Sequence, residues 1–384
     1  MLHAHRLAWQ YIRASINPSA RFIQPELTYL GGREVALKAL RFNRNPQEQH
    51  APVVIALNGY SARGYRDPRM QRAASNLACL GFDVYMPILD SVEALRLQPA
   101  AVDEIATFVT ALVNYKRSKV GLFSASISAS LSLVACARPA LRKSISGIMA
   151  IGPYGHLKRA VSHVMLNSRD DYGRHVVWMN FAEWVVGQQP GLNTLFRTAI
   201  EDDGWKRQHP HLPAQLAHAD PQTRALFRRF TYDKTYREMR WQQVCQQFQE
   251  NQEWMRLMNP ADHIQYLGAP LYLLHGQKDD VILPAESEDL FQLLQRYNRP
   301  GRMLLSPLIS HADLEYSWKT PLHGVQLMGL FAGFFESVCE GHRVDVDAIT
   351  HHPQEHAQSR VYPEYSSPSA PAAKGGLSWM FKAR

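Results

Sequence analysis

The feature that most constrains this chain is an alternation of short apolar runs with helix-patterned segments. Ala51–Leu57 (A-P-V-V-I-A-L), Phe82–Ile88, Val120–Phe123 and Ile145–Ile151 read as strands. Between them, Pro68–Leu80, Pro99–Tyr115 and the Ala/Ser/Leu stretch after Phe123 place apolar residues at helical spacing. Strands buried on both faces need helices above and below, and parallel neighbours need a crossover to join them. The expected fold class is therefore α/β, with a mostly parallel central sheet covered by helices on both faces. Ahead of this rhythm, residues 1–25 read as a helical lead-in. Glu26–Leu30 and Val35–Phe42, flanking Gly31-Gly32, read as a β-hairpin.

The first part of this core spans 26–155, and then the rhythm stops. Residues 156–265 are rich in Trp, Tyr, Phe, Gln and His, with Trp178, Trp184, Trp205, Trp241 and Trp254 among them, and their periodicity is helical. An insertion of this size between two core strands predicts a helical cap over the carboxyl edge of the sheet. Alternation resumes in 266–342, with strands at Pro270–Leu274 and Arg302–Leu308 and helices at Pro284–Tyr297 and Leu322–Cys339. The remainder, 343–384, contains S-S-P-S-A-P-A-A-K-G-G and no periodicity, which predicts a flexible tail. Its H-H-P-Q-E-H cluster reads as a solvated histidine run, and no metal site is expected.

Composition removes several function classes. The chain is 46% hydrophobic and 20% charged, an ordinary globular balance. Its formal charge of +8 is spread along the chain without a basic run, so no nucleic-acid partner is expected. Cys79, Cys136, Cys245 and Cys339 lie far apart with no C-x-x-C pair, which fits reduced thiols packed in helices. No stretch reaches the roughly 18 uninterrupted apolar residues of a membrane span, and Met1–Gln24 lacks a signal-type apolar core. A cytoplasmic location and no transmembrane segment are the expectations.

One stretch carries chemistry. Lys119–Ala137 reads as strand, sharp turn and helix, with Ser126 at the turn. A serine there can be a nucleophile beside outward-pointing helix amides, or simply a helix cap. The segment Ser124-Ala125-Ser126-Ile127-Ser128 resembles the nucleophile elbow G-x-S-x-G of the α/β-hydrolase superfamily, with Ser in place of both glycines. Two further segments resemble that superfamily. H-G-Q-K-D-D-V follows the Pro270–Leu274 strand and offers Asp279 as the triad acid. I-S-H-A-D-L follows Arg302–Leu308 and offers His311 as the base. The order Ser126, Asp279, His311 is that of the superfamily.

The resemblance implies an α/β-hydrolase fold and a Ser-His-Asp triad that cleaves a carboxylic ester or thioester of a small or medium acid through an acyl-enzyme, with no cofactor. It also implies oxyanion donors at the Ile127 amide and at Tyr60 or Ser61, in the loop N-G-Y-S-A-R-G-Y-R-D-P. Alternatives are an acyltransferase or amidase with the same triad, or a non-catalytic binding protein on the same scaffold. Trp178 and Trp184 are candidates for lining an acyl pocket, against packing of the insertion. Arg63, Arg66 and Asp67 read as solvated loop charges, His275 as structural, Ser124, Ser128 and Ser130 as small-residue sites, and Asp280 as a loop tie or a cap for the helix near Pro284.

Overall fold

The computed structural model describes residues 2–342 apart from 18–19, 32–35, 46, 49, 308 and 310–320. Among these residues, eight strands form one sheet: β1 (Glu26–Leu30), β2 (Leu37–Phe42), β3 (Val53–Leu57), β4 (Asp83–Pro87), β5 (Val120–Ala125), β6 (Ile145–Ile151), β7 (Leu271–Gly276) and β8 (Gly301–Ser306). Their order is β1-β2-β4-β3-β5-β6-β7-β8. β1 pairs antiparallel with β2, and β2 with β4; every other pairing is parallel. This is the α/β-hydrolase fold. The tail expected at 343–384 lies outside the described residues.

Side-chain alternation explains why the central strands look wholly apolar. Along β3, Val53, Ile55 and Leu57 join the core on one face, while Val54 and Ala56 join the core on the other. The first face packs on the helices Pro99–Lys116 and Ser126–Cys136. The second packs on Leu2–Ile16, Pro68–Cys79 and Pro321–His342. The lead-in helix is a full member of that second core: the Tyr11 ring lies 4.8 Å from Phe331 and 6.1 Å from Phe123. Gly121 on β5 lets the last helix approach, since a Cβ there would sit 2.5 Å from Val338.

At the amino end of β4, buried Asp83 receives hydrogen bonds from Arg41 Nε at 2.8 Å and Lys116 Nζ at 2.6 Å. Burial alone would raise this carboxyl's pKa. The two cations outweigh it and hold the group below the usual carboxylate range.

Between β6 and β7 the described residues contain helices and no strand, from Leu157–Leu166 to Gln252–Arg256. Aspartates start several of these helices. Asp170 accepts from the Gly173 amide, Asp220 from Gln222 and Thr223, and Asp233 from Tyr236. The insertion has its own aromatic core, in which Trp178, Phe181, Phe230, Trp241 and Phe248 are buried.

Its two ends are stitched together. The Ala261 amide donates to the Gly155 carbonyl at 3.1 Å, the Leu157 amide to Asn259 Oδ1 at 2.9 Å, and the Tyr154 hydroxyl to the Met258 carbonyl at 3.1 Å. Buried Glu286, on the helix after β7, accepts from the Gly155 and His156 amides at 2.8 and 3.0 Å and pairs with Arg159.

None of the four cysteines is in a disulfide. Only Cys136 is fully buried, which pushes its thiol up to about 12; the other three are half-buried. No described helix is long and apolar enough to cross a membrane, and the described residues include no cluster of side chains suited to hold a metal ion.

Candidate active site

Ser126 joins β5 to the helix Ser126–Cys136 with φ at 55°, a left-handed conformation in a residue with a side chain. The residue in N-cap geometry is Ala125, with φ −125° and ψ 147°, and no side chain caps this helix. Ser126 is therefore not a capping serine; capping serines have extended backbone and bond the N–H two or three residues on. It is half-buried, as are Ala125 and Ile127 on either side. The Ile127 amide lies in the first turn, where helix N–H groups have no carbonyl four residues back.

Both residues that replace the elbow glycines are fully buried. Ser124 donates to the Met149 carbonyl of the adjacent strand at 3.4 Å, and the Ser128 hydroxyl has no hydrogen-bond partner among the described residues. Ser130 accepts from the Tyr154 amide at 2.8 Å.

The loop after β3 closes over the elbow. A Cβ on Gly59 would come within 3.1 Å of Ser126 Cβ and 3.8 Å of its Oγ, so glycine is what lets this backbone lie beside the hydroxyl. The loop amides are mostly committed. Ser61 N–H donates to the Gly59 carbonyl at 2.8 Å, Ala62 N–H to the Tyr172 hydroxyl at 2.8 Å, Arg63 N–H to Ser61 Oγ at 3.2 Å, and Gly64 N–H to the Ser61 carbonyl at 2.8 Å. Tyr60 N–H has no protein partner among the described residues. The Gly59 carbonyl, on the same peptide unit, is held from behind by Ser61 N–H and by Asn58 Nδ2 at 3.0 Å. A trans peptide points its N–H opposite to its C=O. Of the two candidates Tyr60 and Ser61, Tyr60 thus has the amide left to offer. Its own side chain turns inward, where the hydroxyl donates to the Arg96 carbonyl at 2.7 Å and burial raises its pKa.

Asp279 lies in the loop after β7 and is 6% exposed, whereas Asp280 is exposed. Asp279 Oδ1 accepts from the Val281 and Ile282 amides, each at 3.0 Å, which fixes the carboxylate. Its Oδ2 is 3.5 Å from His275 Nε2 and 3.8 Å from where a Cβ of Gly152, at φ 59°, would stand. β5, β6, β7 and β8 are parallel neighbours, so the loops after them emerge at one edge. The end of β8 meets the Asp279 loop, with Gln277 N–H donating to the Ser306 carbonyl at 3.0 Å. His311, beyond that point, lies outside the described residues.

His275 is fully buried, its ring nitrogens 2.7 Å from Ser287 Oγ and 2.8 Å from the Ile282 carbonyl, in a structural position. Three sequence expectations need correction. Asp280 does not cap the helix Pro284–Arg296, whose N-cap is Leu283 with no side-chain bond; the Asp280 carbonyl instead meets His163 Nε2 at 2.9 Å. Asp67 and Arg63 are not solvated loop charges. Asp67 is buried, caps the helix Pro68–Cys79 through the Arg69 amide and pairs with the Arg69 side chain, and Arg63 Nε donates to the Gly204 carbonyl of the insertion at 2.9 Å with its guanidinium over Trp205. Trp178 does not present a surface: it is fully buried, with its ring 4.5 Å from Phe230 and 6.0 Å from Trp241. Trp184, half-buried, packs on Phe181, Phe248 and Trp254.

The sequence did not point to Tyr172. From the insertion it reaches the loop after β3, accepting from Ala62 N–H and donating to the Tyr60 carbonyl at 3.1 Å. These partners are 110 and 112 residues away along the chain, so no local pattern could mark them.

The model of the prolyl oligopeptidase family matches residues 214–341, the part carrying β7, the Asp279 loop and β8. No curated protein matches the chain. Among solved structures, dipeptidyl peptidase 4 of Porphyromonas gingivalis is 14% identical with a TM-score of 0.48, over 81% of this chain and 36% of that one. Acylaminoacyl peptidase of Pyrococcus horikoshii is 13% identical with a TM-score of 0.49, over 82% and 42%. A protein described as a dienelactone hydrolase, from Klebsiella pneumoniae subsp. pneumoniae MGH 78578, is 11% identical with a TM-score of 0.44, over 81% and 99%. The chain spans less than half the length of the two peptidases.

Proposed function

We propose that the protein is a serine hydrolase that cleaves a carboxylic ester or thioester through an acyl-enzyme. Ser126 is the nucleophile, His311 the general base, Asp279 the carboxylate that orients it, and the Ile127 and Tyr60 amides the oxyanion donors. The observation that carries this reading is the left-handed Ser126 pressed against Gly59. Holding a residue with a side chain in that region costs on the order of 1–3 kcal/mol, and such strain concentrates at working sites. A structural serine at a helix start has no use for it.

In this mechanism His311 takes the Oγ proton as Oγ bonds to the acyl carbon. The carbonyl oxygen gains the negative charge, which the two amides meet without reorganising. Collapse breaks the bond to the leaving oxygen or sulfur, which departs with the proton from His311. Water then repeats the sequence and releases the acid. Asp279 stays ionised, fixes the imidazole tautomer and stabilises its cation. Two backbone amides on Oδ1 suit that role because they bind the charged form best.

A second reading, hydrolysis of an amide or peptide, is favoured by the prolyl oligopeptidase match over 214–341. The same residues serve, with His311 protonating a leaving amine. Labelling with a fluorophosphonate, followed by turnover of p-nitrophenyl esters and aminoacyl p-nitroanilides, tests both. Wild-type labelling that disappears in Ser126→Ala supports the hydrolase, and the faster substrate class chooses between ester and amide. Folded wild-type protein that neither labels nor turns over would leave the binding-protein alternative.

A further inference from the structure

We propose that Tyr172 is a positioning residue for the oxyanion hole, aiming the Tyr60 amide from the helical insertion. This deepens the hydrolase reading and rests on it. The Tyr172 hydroxyl bridges two consecutive peptide units of the loop after β3, donating to the Tyr60 carbonyl at 3.1 Å and accepting from Ala62 N–H at 2.8 Å. That turns the Tyr60–Ser61 peptide so that its carbonyl faces the insertion and its N–H faces back, onto the Gly59 carbonyl at 2.8 Å. The bond to the Gly59 carbonyl in turn fixes the Gly59–Tyr60 peptide, whose N–H is the donor beside Ser126.

The chain of control has no slack at its origin. Tyr172 is half-buried, desolvation raises its pKa, and the hydroxyl stays protonated and able to donate. The ring also packs near Gly204, where an added Cβ would meet Ala62 at 2.6 Å and the Tyr172 ring at 3.3 Å. Without the hydroxyl, the Tyr60 carbonyl and the Ala62 amide lose their partner, and the Tyr60–Ser61 peptide keeps only the bond from its own N–H to the Gly59 carbonyl. The donor would then be held, through the Gly59 carbonyl, by Asn58 Nδ2 and by a Ser61 amide no longer anchored from the insertion. Catalytic groups displaced by a fraction of an ångström lose much of their effect on the transition state while ground-state binding is kept.

The test is Tyr172→Phe in the full chain, with p-nitrophenyl acetate and a fluorophosphonate as probes and thermal unfolding measured in parallel. We expect kcat and the labelling rate to fall together by about 10-fold, with KM within about twofold and the melting temperature within a few degrees. Arg63→Gln, which breaks the neighbouring bond to Gly204 and spares the hydroxyl, should keep kcat within about twofold. Tyr172→Phe with unchanged kcat overturns the proposal and leaves the hydrolase reading standing. A loss in Arg63→Gln equal to that in Tyr172→Phe also overturns it, because docking of the insertion as a whole would then be the cause. Wild-type protein inert to both probes removes the hydrolase reading and this inference with it.

Discussion

The sheet and the insertion solve the problem of placing a residue in opposite ways. At the carboxyl edge of the sheet, position comes from the backbone: strand register brings the loops after β5, β7 and β8 together, and small residues at Gly59 and Gly152 let them close up. In the insertion, position comes from side chains. Aromatic rings meet edge to face, and Trp241 Nε1 donates to Ser162 Oγ at 3.1 Å to tie one helix to another. Placement at the sheet edge thus depends on a scaffold that tolerates little beyond size, and placement in the insertion on one that changes with every large side chain.

The sharpest way to break that contrast is Ser126→Ala. It removes one oxygen from a site built for small residues, so turnover and labelling should fall by roughly 10⁶-fold, as for the nucleophile of a comparable triad, with the melting temperature unchanged. Equal labelling of the mutant would move the nucleophile to Ser124 or Ser128. Asp279→Asn follows, with turnover near neutral pH reduced about 10⁴-fold through the wrong histidine tautomer. The exposed neighbour Asp280→Asn should leave kcat nearly intact, and a reversal of the two would displace the proposed triad acid by one residue.

Trp178→Ala reads the other side of the contrast. Deleting a fully buried indole should cost about 3–5 kcal/mol of stability, visible in denaturant melts. Labelling of Ser126 at low temperature should survive, and its loss would mean that the sheet edge depends on the insertion's aromatic core as well as on Tyr172.

The smallest effect is one of pH. In the unfolded chain a histidine takes its proton near pH 6.5, but His175, with its ring 6.0 Å from Phe196 and 5.9 Å from Phe227, is pushed down by burial to about 4. Nearby Asp171 opposes that shift and Arg174 adds to it. Its contribution is therefore complete above pH 6.5 and is lost as pH falls toward 4. Asp83, in the sheet, is depressed; its contribution is complete above the ordinary carboxylate range and is lost progressively as the pH falls through and below it. The insertion should loosen first on acidification. Five of the eight tryptophans lie between 156 and 265, so fluorescence reports mainly on the insertion. A step between pH 6.5 and 4 that persists in His175→Leu would assign it elsewhere.

What was legible in the sequence follows the same division. Strand and helix positions were readable because burial on two faces leaves an unbroken apolar run, and β6 coincides with the predicted Ile145–Ile151. Ser126 was readable because a turn between strand and helix leaves a local mark. The insertion's helical character was readable too, but the work of its individual side chains was not. Trp178 looked available and is buried, while Asp67 and Arg63 looked solvated and are engaged. Each of these errors concerns which distant group a side chain meets, and that depends on packing between elements that no local period encodes.

The stitched junction at Gly155, Leu157, Asn259 and Ala261 has a consequence for ancestry and for engineering. Because the chain leaves β6 and comes back to β7 through a single doorway, the sheet experiences more than a hundred residues as though they were one tight loop. Such a cassette is expected to accept changes in length with the α/β scaffold left intact. The bridge at Tyr172 is then one of the contacts a replacement would have to reproduce, beside those of Arg63 to Gly204 and of the Leu95 and Leu97 backbone to Asn180; on the proposed reading, a module that brings no hydroxyl to Tyr60 and Ala62 would leave the oxyanion donor without its aim.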